Sequence, residues 1–409
     1  MKKRITTALA ISLYCIGASA STGNENNLKY QREAPNVKIE EEVQDSSTTP
    51  VVEEFKPSIN VGSIVHMFGS TQQAGFLSSS TSDDWSTDFK LYRARVLVGG
   101  QLSKNGAFFF ETEIPTAIGN NGDGTKGVFV SPIILDCQYE HTYAPGHMLV
   151  VGQQLISHNR NGLQGAASLM ANDFTFFQYP YNLFGNASPL NGTFGRDLGV
   201  NARGFFLEDK LEYRLGVFSG RSFAGDGAPR IVGRAAYNFL DAEKDYYYAG
   251  TKIGNGKTAA LAAGFDVQGT YINIGADFFL DVPVSEGGSI TLNAAYSYMD
   301  GGDDPAAKAS FAGLIPKQTT QFMELGYYFK GSKLQPWIRY EKQALDGDDD
   351  GLASPMVFGG GLNYWFNDYG TNLRLSYTTW NKKTYDAADD KIVSTSSGQI
   401  WLQVQFFIF

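Results

Sequence analysis

Between residues 57 and 409, hydrophobic and polar positions alternate with a period of two over short segments. Clusters of Gly, Asp, Asn and Ser separate these segments, which is the pattern of strands with two unlike faces. The spacing predicts strands at 59–68, 90–99, 107–113, 134–141, 147–155, 197–207, 210–219 and 229–238. It predicts more at 258–268, 270–280, 289–298, 321–329, 333–341, 356–366, 371–380 and 399–409. In the last of these, Ile400, Leu402, Val404, Phe406 and Ile408 share one face. Gln399, Gln403 and Gln405 share the other with Trp401, Phe407 and Phe409. A terminal strand this apolar is an aggregation hazard in water, but in a closed membrane barrel it pairs on both edges and faces lipid.

The expected fold is therefore all-β, a transmembrane antiparallel β-barrel of about 16 strands, ample for tilted spans of roughly 10 residues each. An even count puts both ends of the barrel at one rim. Beyond residue 20 no apolar run approaches the ~20 residues that a membrane helix needs. At the front, Lys2, Lys3 and Arg4 precede a mostly apolar stretch, and Ala18-Ser19-Ala20 is a small-residue cleavage site. Residues 1–20 read as a secretory signal peptide, 21–56 as an acidic, disordered periplasmic lead, and 57–409 as the barrel. With Cys15 inside the signal, Cys137 is left as the only thiol, so no disulfide is expected.

Composition refines this. Gly 46, Phe 29 and Tyr 22 against Pro 14 suit many strands with aromatic girdles. A formal net charge of −9 excludes general nucleic-acid binding. Alternation then assigns faces. With Tyr92, Ala94, Val96 and Val98 toward lipid, Arg93 and Arg95 point inward. The same rule turns Arg203, Arg214, Arg230, Arg234, Arg339 and Arg374 inward, because charge on the lipid face costs ~2–4 kcal/mol. Arginines inside a pore attract anions. Inward acids are about as numerous: Glu111, Glu113, Asp136, Glu140, Glu212, Asp266, Asp277, Glu324 and Glu341. Salt bridging between the two sets is the structural alternative. The long stretch 157–195, with Phe174, Phe176, Phe177, Tyr179, Tyr181 and Phe184, is the expected constriction loop.

Several short runs appear in a consistent order: LYRARVLVGG (91–100), the strand with Val151-Gly152-Gln153, GRDLGV (195–200), YRLGVFSG (213–220) and QPWIRYE (335–341). Together they resemble the phosphate-selective porin O and P family. The resemblance implies a sixteen-stranded barrel, usually trimeric, through which small anions diffuse with the help of lumen arginines. Arg93, Arg95, Arg203 and Arg214 lie in the motif-bearing strands. That family's lysine-rich ladder has no equivalent here.

Other patterns lead nowhere. Gly254-Asn255-Gly256-Lys257-Thr258 ends like a phosphate loop, but Thr251 stands where the first Gly is required and a strand follows. Asp346 to Gly351 opens like a calcium loop, yet Val357 stands where the bidentate Glu belongs. His66, His141, His147 and His158 lack metal-ligand spacing, and no Ser/His/Asp constellation is evident. The expectation is a non-enzymatic outer-membrane channel without metal or cofactor. Its partners are small hydrophilic solutes, membrane lipid and copies of itself in a trimer; a weakly selective porin or a binding barrel is the alternative.

Overall fold

The computed structural model describes residues 55–409 apart from 79, 81, 115, 121–125, 131, 179–194, 221–227, 303–314 and 387–388. The expected signal peptide and lead lie outside the described residues. The strands in chain order begin with β1 (Asn60–Gln73), β2 (Trp85–Ser103), β3 (Gly106–Glu113), β4 (Thr116–Asn120), β5 (Lys126–Val130) and β6 (Ile133–Ala144). Next come β7 (His147–Leu155), β8 (Arg196–Phe206), β9 (Leu211–Phe218), β10 (Arg230–Asn238), β11 (Thr258–Gln268) and β12 (Tyr271–Ser285). The set ends with β13 (Gly288–Asp300), β14 (Gln318–Phe329), β15 (Leu334–Leu345), β16 (Met356–Tyr369), β17 (Thr371–Asp386) and β18 (Lys391–Ile408).

Each wall strand pairs antiparallel with its neighbours in sequence, and β1 pairs with both β2 and β18. The result is a closed antiparallel barrel of 16 strands. Closure leaves no sheet edge unpaired, the condition for β-structure in lipid. The β4–β5 hairpin, which alternation did not predict, is bypassed by the β3–β6 pairing and touches the wall where Thr116 meets Leu91. The wall strands match the sequence-predicted segments one for one and extend several of them, β2 and β18 most.

The two faces follow the alternation. On β18, Ile400, Leu402, Phe406 and Ile408 are exposed while Gln403 and Gln405 are fully buried. On β9, Leu215 and Val217 face out, Glu212 and Arg214 in. Tyr92 is a correction: expected toward lipid, it is buried and its hydroxyl donates to Asp173 in the interior. The reason is a β-bulge opposite His66 and Met67, where the register with β2 skips a residue. An extra residue in one strand breaks the two-residue period and turns a side chain to the other face.

The two rims differ. At one, tight connections join β2 to β3, β6 to β7, β8 to β9, β12 to β13, β14 to β15 and β16 to β17. Gly146, with φ 73°, makes the β6–β7 turn, a backbone conformation that glycine adopts without a Cβ penalty. Aromatic pairs flank this rim on the outside: Tyr364 and Phe366 (ring centroids 4.3 Å apart), Tyr327 and Phe329 (4.6 Å), and Tyr237 and Phe239 (5.1 Å). Short turns beside an aromatic girdle mark the periplasmic side of an outer-membrane barrel. One connection at this rim breaks the rule. Residues 239–257, between β10 and β11, form a long segment that turns into the barrel.

Candidate functional site

Among the described residues, two long segments arriving from opposite rims occupy the interior. Residues 156–178, which hold nearly all of the described part of the expected 157–195 loop, enter between β7 and β8 from the far rim. They carry two short 3-10 turns, Asn161–Leu163 and Ala166–Ser168, both buried. Residues 239–257 enter from the short-turn rim. The two meet inside: the Tyr248 N–H donates to the Leu163 carbonyl (2.9 Å) and the Gly165 N–H to the Tyr248 carbonyl (2.8 Å). The Thr251 N–H adds a bond to the Ser168 carbonyl (3.0 Å), and Gln164 and Tyr248 form a parallel bridge. Arg160 of the first loop pairs with Glu243 of the second at 2.6 Å and donates to the Ala249 carbonyl.

The wall at mid-height is buried on every strand, from His66 on β1 and Glu111 on β3 round to Arg374 on β17 and Gln405 on β18. In the described interior the inward side chains of the wall lie against the two segments. The sequence reading set the inward arginines in an open lumen; here they lie against protein groups. The alternation rule located them, but what they touch is protein.

All eight arginines assigned inward point inward and are buried. Arg95 donates to Glu111 (3.2 Å) and to Glu113, both on the adjacent strand. Arg93 reaches Asp173 of the first loop at 2.6 Å and donates to His66 Nδ1 at 2.9 Å. That donation fixes the tautomer: the His66 Nε2–H is left to donate to Gln405 Oε1 (2.8 Å). Arg339 pairs with Glu324 and donates to the Phe174 and Asp173 carbonyls at 2.9 and 2.7 Å. Arg374 has no carboxylate partner among the described residues. It donates to the Ala171 and Ala167 carbonyls (3.1 and 3.0 Å), Gln405 and Asn372, and lies over the Trp365 ring.

Arg203, Arg214 and Arg234 form a row. The register pairs Arg203 with Arg214 across β8 and β9, and Arg214 with Arg234 across β9 and β10. Glu212 Oε1 accepts from Arg203 (3.3 Å) and Arg214 (2.8 Å), while Asp277 accepts from Arg234 (2.9 Å). The second loop covers the row. Arg203 donates to the Asp245 and Glu243 carbonyls (2.5 and 3.3 Å), and Arg214 to the Tyr246 carbonyl (2.8 Å). The Tyr248 hydroxyl donates to Glu212 Oε2 (2.9 Å), and its ring lies 4.5 Å from the Arg214 guanidinium. Arg203 Nη1 and Arg214 Nη2 are buried without a hydrogen-bond partner. Three adjacent cations repel one another, and here two carboxylates, carbonyl dipoles and aromatic faces offset that repulsion.

Burial shifts an acid of the second loop and a histidine of the first. Burial pushes the Asp245 carboxyl up to about 6, opposed by Arg203. Burial likewise pushes His158 down to about 4, so it is neutral at physiological pH.

Of the constriction-loop aromatics, Phe177 packs with Phe76, Val357 and Trp380, and Phe174 with Leu135, Ala166 and Leu169. Phe176 lies beside Phe76 and Trp380, and the Phe176 and Phe177 N–H groups both donate to Glu341 Oε2. Tyr179, Tyr181 and Phe184 lie outside the described residues. The sequence reading missed the second loop with Tyr246, Tyr248 and Glu243, and also Arg160. The run Tyr246-Tyr247-Tyr248 inside a supposed turn was the available signal. The incomplete phosphate loop is part of this inward segment. In the acidic loop, Asp348 accepts from the Leu352 and Ala353 N–H groups and the Ser354 hydroxyl, so its oxygens cap the turn. No cluster of metal-binding side chains occurs among the described residues.

A closed antiparallel barrel of 16 strands with an apolar exterior is the fold of bacterial outer-membrane porins, and the chain is an outer-membrane protein. No protein-family model and no curated protein sequence matches it. Solved structures do. It is similar to the high-pH structure of OprB from Pseudomonas putida (8% identity, 85% of this chain and 94% of that one, TM-score 0.56). It is similar also to an anion-selective porin from Comamonas acidovorans (11% identity, 86% and 100% covered, TM-score 0.54). A third is the outer membrane channel DcaP of Acinetobacter baumannii (12% identity, 86% and 97% covered, TM-score 0.50). At these identities the likeness is one of fold.

Proposed function

We propose that this chain is an outer-membrane channel for passive diffusion of small hydrophilic solutes, with anions such as phosphate preferred. The observation that carries the reading is the in-register row Arg203, Arg214 and Arg234, which holds more cations than the carboxylates Glu212 and Asp277 neutralise. In a low-dielectric wall such charges focus the field and raise the local anion concentration. The Comamonas neighbour is described as anion-selective, which supports the reading by analogy of fold only. Loop 157–195, through Phe174, Phe176 and Phe177, is proposed as the constriction. The chain is proposed to be exported with residues 1–20 removed and 21–56 left as a periplasmic lead, and to assemble as a trimer.

One observation favours a second reading, a weakly selective channel. Arg95, Arg196 and Arg230 are each ion-paired on the wall, so most inward charge is already neutralised. Planar-bilayer recording in a KCl gradient separates the two. The expected reversal potential has the sign of chloride preference and grows at low salt, where screening is weak. A value near zero favours the weakly selective channel. Purified barrel that never gives stepwise conductance overturns both.

A further inference from the structure

We infer that residues 239–257 are a built-in plug that enters from the periplasmic rim and occupies the arginine row in place of an anion, so that the channel conducts only when this loop withdraws. The inference rests on the channel reading above and adds its regulation.

Three features point to it. The segment lies at the rim where the other connections are tight turns, so the barrel has no need of its length to join β10 to β11. Its carbonyl oxygens at Glu243, Asp245 and Tyr246 take guanidinium N–H groups of Arg203 and Arg214, the donors an oxyanion would use. Its rings finish the cover: the Tyr248 ring lies 4.7 Å from Arg160, 4.5 Å from Arg214 and 5.3 Å from Arg234.

The hold is largely polar and divided between two partners, with Tyr247, Tyr248 and Ile253 adding apolar contact. Toward the wall it includes the arginine row, Glu212, the Tyr369 hydroxyl on the Thr251 carbonyl (2.5 Å), and Asp281 and Gln154, which accept from the Lys252 N–H (2.8 Å) and the Tyr246 hydroxyl (2.9 Å). Toward the first loop it consists of the backbone bonds at Leu163, Gly165 and Ser168, and the pair Arg160–Glu243. Polar contacts of this kind are exchangeable. Water or an anion can replace a carbonyl on a guanidinium at small net cost, whereas an apolar core has no such substitute. An anion that binds the uncovered row stabilises the withdrawn state by its difference in affinity between the two states.

The test locks the clasp. Gln164 and Tyr248 are bridge partners, close enough for a disulfide to be built between them. In protein with Cys15→Ser and Cys137→Ser, the pair Gln164→Cys and Tyr248→Cys is recorded in planar bilayers, oxidised and then reduced. The expected result is at least a tenfold loss of conducting events when oxidised, recovered on reduction. Conductance that is the same in both states overturns the plug while leaving the channel intact. Silence in both states, when unsubstituted protein conducts, also overturns it, because the reduced loop is free to move. Silence of the unsubstituted protein as well defeats the channel reading itself. Barrel integrity is read separately from heat-modifiable migration. In an otherwise native chain, Tyr248→Ala removes the ring from the row and should raise the open fraction severalfold; an unchanged open fraction counts against the plug.

Discussion

The two loops inside the barrel are held by different physics. Residues 156–178 are fastened to the far wall by apolar packing as well as hydrogen bonds: Phe177 sits against Trp380 and Phe76, and Met170 and Ala171 sit against Trp337. Residues 239–257 touch some of the same apolar core through Tyr247 and Tyr248, but their grip on the wall is chiefly arginine to carbonyl and tyrosine to carboxylate. The first arrangement behaves like a folded core and the second like a bound ligand. Inward position alone therefore does not say whether a segment is permanent lining or a movable part; the chemistry of its contacts does.

The comparison can be broken experimentally, and the largest effect is expected from Arg93→Glu with Arg95→Glu. The first change sets a carboxylate against Asp173 of the first loop, and the second sets one against Glu111 and Glu113. Each breaks a buried pair, worth about 3–5 kcal/mol. The double variant should lose heat resistance sharply, and ion selectivity moving without loss of stability would show that these arginines face open solvent. Next comes Glu212→Ala, which strips Arg203 and Arg214 of their shared carboxylate and Tyr248 of its acceptor. About 3–5 kcal/mol of destabilisation follows from the stranded charges. Protease cleavage at Lys244 or Lys252 should rise while the first loop stays protected; equal exposure of both loops would erase the distinction.

Phe177→Ala is the converse. It opens a cavity beside Trp380 at a cost of about 3–5 kcal/mol at most, less where the site collapses. It should loosen the first loop in hydrogen exchange and leave 239–257 protected. The smallest effect belongs to Asp348→Ala in the outer loop, which removes caps from a partly exposed turn. It should cost about 1 kcal/mol, with conductance and any calcium response unchanged.

Much of the fold was legible because lipid and interior force opposite residue types onto alternate positions, and β18 displays this from Ile400 to Ile408. Tyr92 was misread because a bulge depends on pairing with β1, which no single strand records. The arginines were located but not their partners. The row Arg203, Arg214 and Arg234 exists only once register is set, and Arg95 meets Glu113 through a neighbouring strand. The second loop was missed, despite its tyrosine run, for a related reason. A long connection is ordinary at one rim and anomalous at the other, and only the assembled barrel says which rim it leaves.

The seam between β1 and β18 carries one more consequence, which concerns time. The carbonyl of Ala167 is held by Gln405 of the last strand and by Arg374 of the strand before it. His66 of the first strand is tied to the same Gln405. The segment between β7 and β8 therefore has no complete seat until β18 has paired with β1 and the barrel is closed. Rolling up the sheet and stoppering it are thus one event, because the seat for Ala167 is complete only where β17 and β18 meet β1.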